Sequence, residues 1–264
     1  MYETKYHRPS SVAEASGLMS GGEDSKLLAG GQTLIPTMKQ RLAAPSDVVD
    51  LRHVADLKGI SRDGNTVKIG AAVTHAEVAG SADVQAAIPG LVALAGLIGD
   101  PHVRHMGTIG GSVANNDPAA DYPAALVALN ATVITNQRQI AADDFFTGLF
   151  ETALEENEII TAVSFPVPEK GAYQKFPNPA SRYAMAGVFV SKGSDGSVRV
   201  AVTGAGNDGV FRVSAMESAL AGNWSADAIA GLSVDSADLL SDLHGSAAYR
   251  ANLVTVMACR AVAG

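Results

Sequence analysis

The chain has 264 residues, 47% of them hydrophobic and 17% charged, so it carries enough apolar material for a packed core and does not read as disordered. Its 27 Asp and Glu outweigh its 19 Lys and Arg, and the net charge of −8 argues against nucleic acid or an anionic membrane as partner, since both need a basic footprint. One cysteine, Cys259, excludes an internal disulfide, a four-cysteine zinc site and an iron–sulfur cluster held by this chain alone.

The first residues, MYETKYHRPSS, lack the basic start and apolar run of a secretory signal. The longest apolar stretch, Ala86 to Gly99, is broken by Pro89, Gly90 and Gly96 and is shorter than the roughly 20 residues a bilayer span needs. The expectation is a soluble, cytoplasmic protein. Apolar residues recur at helical spacing from Val12 to Met19, after the cap signal Ser10-Ser11 and before Gly21-Gly22. Lys26 to Ala29 predicts a short strand stopped by Gly30-Gly31, Leu34 to Leu42 a helix closed by Pro45, and Asp47 to Leu51 a second strand. Strand, helix and strand in so short a span predict a compact parallel unit.

The texture then changes. Gly59 to Gly70 predicts a hairpin turning at Asp63-Gly64-Asn65, and Thr74 to Gly99 predicts helices. Gly107 to Asp121 is polar and glycine-rich and leads into a small helix, Tyr122 to Leu129. Ala131 to Ile140 predicts a hairpin around Asn136-Gln137, and Glu158 to Phe165 a strand stopped by Pro166 and Pro168. That Pro-x-Pro, followed by Glu169-Lys170-Gly171, predicts a linker. Beyond it, Tyr183 to Lys192 and Ser197 to Val202 predict strands around Asp195-Gly196, and Ala215 to Leu220 and Ala247 to Ala263 predict helices.

Several motifs have plain structural readings. Gly204-Ala-Gly206-Asn-Asp-Gly209 satisfies G-x-G-x-x-G, but Val210 to Val213 after it reads as a strand where a dinucleotide fingerprint needs a helix, so a hairpin loop is expected. His102 and His105 have no third ligand nearby and do not predict a metal. Cys259, in an apolar helix, reads as a core residue. Asp143-Asp144 and Glu155-Glu156 read as solvated faces.

Two features carry more. Ala29-Gly30-Gly31-Gln32-Thr33 follows a strand and precedes a helix, and Gly107-Thr108-Ile109-Gly110-Gly111-Ser112 lies in polar sequence. Paired glycines let a bulky anion approach backbone N–H groups, which supply a positive dipole without a basic side chain. Each loop alone reads more readily as a tight turn. Together, they are suited to clamp a diphosphate between two subdomains.

With both loops in view, the chain resembles the FAD-binding medium subunit of the molybdenum hydroxylases, a family that includes carbon monoxide dehydrogenase and whose module is fused into xanthine dehydrogenase. Lys26 to Pro36 resembles the first flavin loop, and Asp100 to Ser112 with Asp117 to Asp121 the second; Leu149 to Leu154, Glu158 to Thr161 and Tyr249 to Leu253 are also typical. The resemblance implies a mixed α/β, α+β fold: a two-subdomain FAD-binding module of the vanillyl-alcohol-oxidase (PCMH) type, residues 1–57 and 58–168, and a C-terminal α+β domain, residues 172–264. It implies that Lys26, Leu28, Ala29, Gly30, Gly31, Gln32, Thr33 and Leu34, with Thr108, Ile109, Gly110, Gly111 and Ser112, wrap the FAD diphosphate and ribityl chain. Asp121 then bonds a sugar hydroxyl with Asn115 beside it, Ile98 and Ile160 pack on the flavin or adenine, and Lys175 and Tyr183 lie near the isoalloxazine.

The implied role is an oxidoreductase subunit that passes electrons from a partner's 2Fe–2S clusters through FAD to an acceptor. Molybdopterin-molybdenum sits on a large partner chain and the clusters on a small one, as a dimer of heterotrimers. The lone cysteine excludes the branch related to hydroxybenzoyl-CoA reductase, which inserts a cysteine-rich 4Fe–4S loop. A free-standing FAD-dependent oxidoreductase of the same fold and a non-redox nucleotide-binding assembly protein stay open as alternatives.

Overall fold

The structure, a computed structural model, describes residues 1–264. Its N-terminal part runs β1 (Lys5–His7), α1 (Val12–Gly21), β2 (Ser25–Leu28), α2 (Leu34–Lys39) and β3 (Asp47–Asp50). The three strands form the parallel sheet β1-β3-β2 that the strand–helix–strand pattern predicts. β1 is an addition to that expectation, being three residues long and mostly exposed, with no apolar alternation to mark it. α1 starts where Ser11 accepts the Glu14 N–H. α2 stops short of the expected Leu42 because Arg41 takes a left-handed φ of 62°.

The middle part runs β4 (Ile60–Asp63), β5 (Thr66–Gly70), α3 (His75–Ala79), α4 (Ala82–Ala87), α5 (Pro89–Gly96), α6 (Pro101–Met106), α7 (Ile109–Asn115) and α8 (Tyr122–Ala128). It continues with β6 (Thr132–Thr135), β7 (Gln139–Ala141), α9 (Ala142–Phe145), the small hairpin β8 (Phe146–Gly148) and β9 (Glu151–Thr152), and β10 (Ile160–Pro166). Five of these strands pair antiparallel in the order β4-β5-β10-β6-β7. The polar stretch after Gly107 is a helix where a loop was expected: Thr108 caps α7 by accepting the Gly111 N–H, so Gly110 and Gly111 lie inside its first turn.

The last part holds β11 (Lys170–Pro177), β12 (Ala184–Lys192), β13 (Val198–Gly206) and β14 (Gly209–Arg212), an antiparallel sheet in sequence order. It ends with α10 (Ser214–Gly222), α11 (Ala226–Ile229) and α12 (Ala247–Ala263). The expected linker is shorter than its composition suggests. β11 begins at Lys170, and the Glu169 N–H already donates to Lys192. The G-x-G-x-x-G segment is a hairpin in which Gly206 pairs Gly209, as its following strand predicts. Cys259 packs half-buried against the core between this sheet and its helices. Asp143 is exposed, as expected of a solvated face, and also holds Arg199 at 2.7 Å and faces Arg212 at 3.7 Å, which ties α9 to the last sheet.

One core joins all three sheets. It extends from Ala15 and Val49 through Ile69, Leu91, Tyr122 and Phe165 to Tyr173, Phe189 and Ala201. No helix is long and apolar enough to cross a membrane.

Candidate functional site

Where the first two parts meet, the glycine corners abut. A Cβ on Gly30 would fall onto the Met106 carbonyl and the Gly107 backbone, and one on Gly111 would come within 3.2 Å of the Ala29 Cβ. Gly107 lies over the His75 ring, and Gly110 over Ala71 at 2.6 Å from its Cβ. Gly30, Gly107 and Gly110 therefore let backbone pack on backbone or on a neighbouring ring, and Gly111 sits against the Ala29 and Thr108 side chains. The fifth, Gly31, has a φ of +71°, which turns the chain from β2 into α2. The space that the missing Cβ atoms leave is thus taken by protein atoms, while the same glycines line the cavity beside them.

Around this junction lies a cavity of about 560 Å³, within the range of small-molecule and cofactor sites. It takes its walls from residues 26–34, from Thr108, Gly110, Gly111, Ser112 and Asn115, and from Ile98, Ile160 and Tyr183. The two loops contribute unequally. In the second, the Ile109 N–H donates to Val73, the Gly110 N–H to Ala71, the Gly111 N–H to the Thr108 hydroxyl and the Ser112 N–H to Thr108. In the first, the N–H groups from Ala29 through Leu34 have no acceptor within the protein. Six consecutive free donors against a ligand-sized cavity are a seat for an anion. The only ammonium on the wall belongs to Lys26, which is exposed and paired with Asp24 at 3.1 Å.

Three expected residues do not reach the cavity. Ile109 is fully buried in the core, because the first turn of α7 points it inward. Asp121 and Lys175 lie behind the wall, their side chains only 5% and 3% exposed, with Lys175 Nζ 2.9 Å from one carboxylate oxygen. The other oxygen accepts from the Tyr173 hydroxyl at 2.5 Å. Complete burial raises the Asp121 carboxyl above the usual carboxylate range, and Lys175 and Tyr173 oppose that rise. The Asp121 oxygens, expected at a sugar hydroxyl, here face Tyr173 and Lys175.

His75 and Glu158 also line the cavity and were not among the expected site residues, unlike Tyr183. His75, 4% exposed on α3, offers its Nδ1 to the Tyr122 hydroxyl at 3.4 Å, and burial, helped by Arg104, pushes its imidazole down to about 4. It is neutral at pH 7. Glu158 accepts from Arg138 Nε at 3.0 Å, the Thr135 hydroxyl at 2.7 Å and the Glu155 N–H at 2.8 Å. Chiefly through Arg138, it is held down to about 2 and anchors the turn before Ile159 and Ile160. Tyr183, 52% exposed, hangs at the mouth; burial of its inner part and the charges of Asp117 and Asp121 raise its phenol.

The set fits a dinucleotide: free amides for a diphosphate, hydroxyls and an amide at Thr33, Ser112 and Asn115 for sugars, and apolar walls for two ring systems. Fold and site together define a flavin-binding oxidoreductase module. Residues 2–168 match the family described as the FAD binding domain in molybdopterin dehydrogenase. The nicotine 6-hydroxylase medium subunit of Paenarthrobacter nicotinovorans is 38% identical, with 98% of this chain and 95% of the relative aligned. The carbon monoxide dehydrogenase medium chain of Afipia carboxidovorans is 38% identical over 97% of this chain and 94% of the relative. Among solved structures, reconstituted CO dehydrogenase from Oligotropha carboxidovorans superposes with a TM-score of 0.88 at 36% identity, covering 99% of this chain and 96% of that one. Quinoline 2-oxidoreductase from Pseudomonas putida 86 gives 0.88 at 27%, with 99% and 96% covered. The chain belongs to the FAD-binding medium subunits of the molybdenum hydroxylase family, and FAD is its cofactor.

Proposed function

We propose that the chain binds FAD across the junction of residues 1–57 and 58–168, with residues 172–264 behind it, and serves as the electron-transfer subunit of a multi-chain oxidoreductase. The diphosphate lies on the amides of Ala29 to Leu34. Thr33, Ser112 and Asn115 meet the sugar and ribityl hydroxyls, and Ile98 and Ile160 pack on the two ring systems. FAD supplies the redox chemistry, and the protein supplies binding, orientation and electrostatics. Electrons enter from 2Fe–2S clusters of a small partner, reduced in turn by a molybdenum centre on a large one, and leave to an external acceptor. The relatives, which are named as medium chains or subunits, support such partners, and a dimer of heterotrimers is the assembly that goes with this proposal.

The observation that carries this reading is the run of six unpaired N–H groups on the wall of a cavity almost devoid of positive side chains. Purified full-length chain should show oxidised-flavin absorption near 450 nm (about, a property of the cofactor) and release one FAD per chain on denaturation. A colourless chain that takes up no FAD on incubation overturns the reading. Turnover of a hydroxylase substrate by the chain alone overturns the subunit assignment.

A further inference from the structure

His75 lines the cavity and is 4% exposed, yet only one of its two ring nitrogens has a partner in the protein. Nδ1 faces the core, 3.4 Å from the Tyr122 hydroxyl, with the two rings tilted and 5.4 Å apart. Tyr122 is fully buried, and the His75 ring is its hydroxyl's one hydrogen-bond partner. A hydroxyl in a dry core needs an acceptor for its hydrogen, so Tyr122 donates and Nδ1 accepts. Burial keeps the imidazole neutral at pH 7, and its single N–H hydrogen then sits on Nε2.

Nε2 lies on the other edge of the ring. A Cβ on Gly107 would come within 2.6 Å of it, and a Cβ on Gly30 within 2.6 Å of the Gly107 Cα. Gly107 is thus the shared neighbour of Nε2 and of the loop of free amides, and all three residues line the cavity. The second loop has little else to offer an anion there. The Gly107 N–H donates to Val103, and those of Ile109 to Ser112 are bonded within the protein as well. A donor this deeply buried is costly unless something accepts from it, and the cavity is where an acceptor can come from.

We propose that His75 is a diphosphate-binding residue, which donates its Nε2–H to a phosphate oxygen of the cofactor from the side of residues 58–168. The proposal rests on the FAD reading above and deepens it. Tyr122 is the positioning residue, since its hydroxyl fixes which nitrogen carries the hydrogen. The ring brings no charge, in keeping with a seat made of backbone N–H groups.

The test combines spectra and affinity on the full-length chain. With histidines labelled in nitrogen-15, and His75 assigned by its loss in His75→Leu, the parent should carry its ring hydrogen on Nε2, and that resonance should move on FAD loading. A hydrogen on Nδ1, or an Nε2 resonance indifferent to FAD, overturns the proposal. FAD titration of apoprotein should show His75→Leu weaker by about tenfold or more, the loss of a hydrogen bond to a charged oxygen. His75→Leu with Tyr122→Phe also removes the stranded hydroxyl, so apoprotein melting temperature should recover while FAD affinity stays low. Affinity that recovers together with melting temperature makes His75 structural and overturns the proposal. If the double variant does not fold, the parent's spectra decide alone. Parent chain that binds no FAD overturns the functional reading itself, a result distinct from all of these.

Discussion

Gly30 faces the Met106 carbonyl and the Gly107 backbone, so a side chain there wedges apart two pieces of protein before it meets any ligand. Gly30→Ala should cost about 1–3 kcal/mol, as overpacking does, and should do so in the FAD-free chain. Denaturation of apoprotein checks this: an apo variant as stable as its parent, with FAD affinity lost, returns Gly30 to a ligand-clearing role. The glycine pairs were readable in the sequence because two adjacent glycines after a strand announce a special backbone. What they make room for was not, since Gly30 and Met106 are brought together only by the fold. The pairing of Asp121 with Lys175, 54 residues apart, was equally invisible, because neither residue carries a local pattern that names its partner.

Among the elements, α7 shows how a short helix is held at both ends. Thr108 caps its start, and Asn116 ends it in the left-handed region with a φ of 41°. The Asn116 amide donates to Gly148 and Glu151 at 2.8 Å each, and its carbonyl accepts the Phe150 N–H at 3.2 Å, which fastens the β8–β9 hairpin to the helix. Asn116→Ala loses two buried hydrogen bonds and a residue tolerant of positive φ, a loss of about 2–4 kcal/mol. Asn116→Gly relieves the backbone but not the bonds and should fall between, by urea denaturation; equal stability of all three would show that the hairpin is not fastened this way. Hairpins β4–β5 and β6–β7 and the core strands β12 and β13 were legible from turns and apolar runs. β11 was not: Pro166, Pro168 and Gly171 read as breakers, and its apolar residues do not alternate cleanly.

Across the molecule, three groups with strongly lowered pKa values bear on acid stability. Burial, then Arg104, holds His75 down to about 4 from 6.5; Arg138 chiefly holds Glu158 down to about 2 from 4.5; and Arg52 and Tyr6 overrule the effect of burial to hold Asp50 down to about 2 from 3.8. In each case the unfolded chain binds more protons across the interval, so stability falls as pH falls. The first loss runs from about pH 6.5 to 4 and belongs to His75, with the carboxylates following between about 4.5 and 2. Chemical denaturation at a series of pH values should show a His75→Gln variant flatter than its parent above pH 4.5 or so. Parallel curves there would mean that the imidazole is not held neutral.

The segment from Pro118 to Asp121 is held from one side by β13 and β11: the Gly204 N–H donates to Pro118, the Thr203 hydroxyl to Ala120 at 2.6 Å, and Tyr173 to Asp121. These holders follow, in the chain, every residue that lines the cavity except Tyr183, so a ribosome delivers them after those residues. A nascent chain that has emerged only as far as Ile160 therefore has its amide seat but none of these holders, and durable capture of the dinucleotide waits for β11 and β13 to follow.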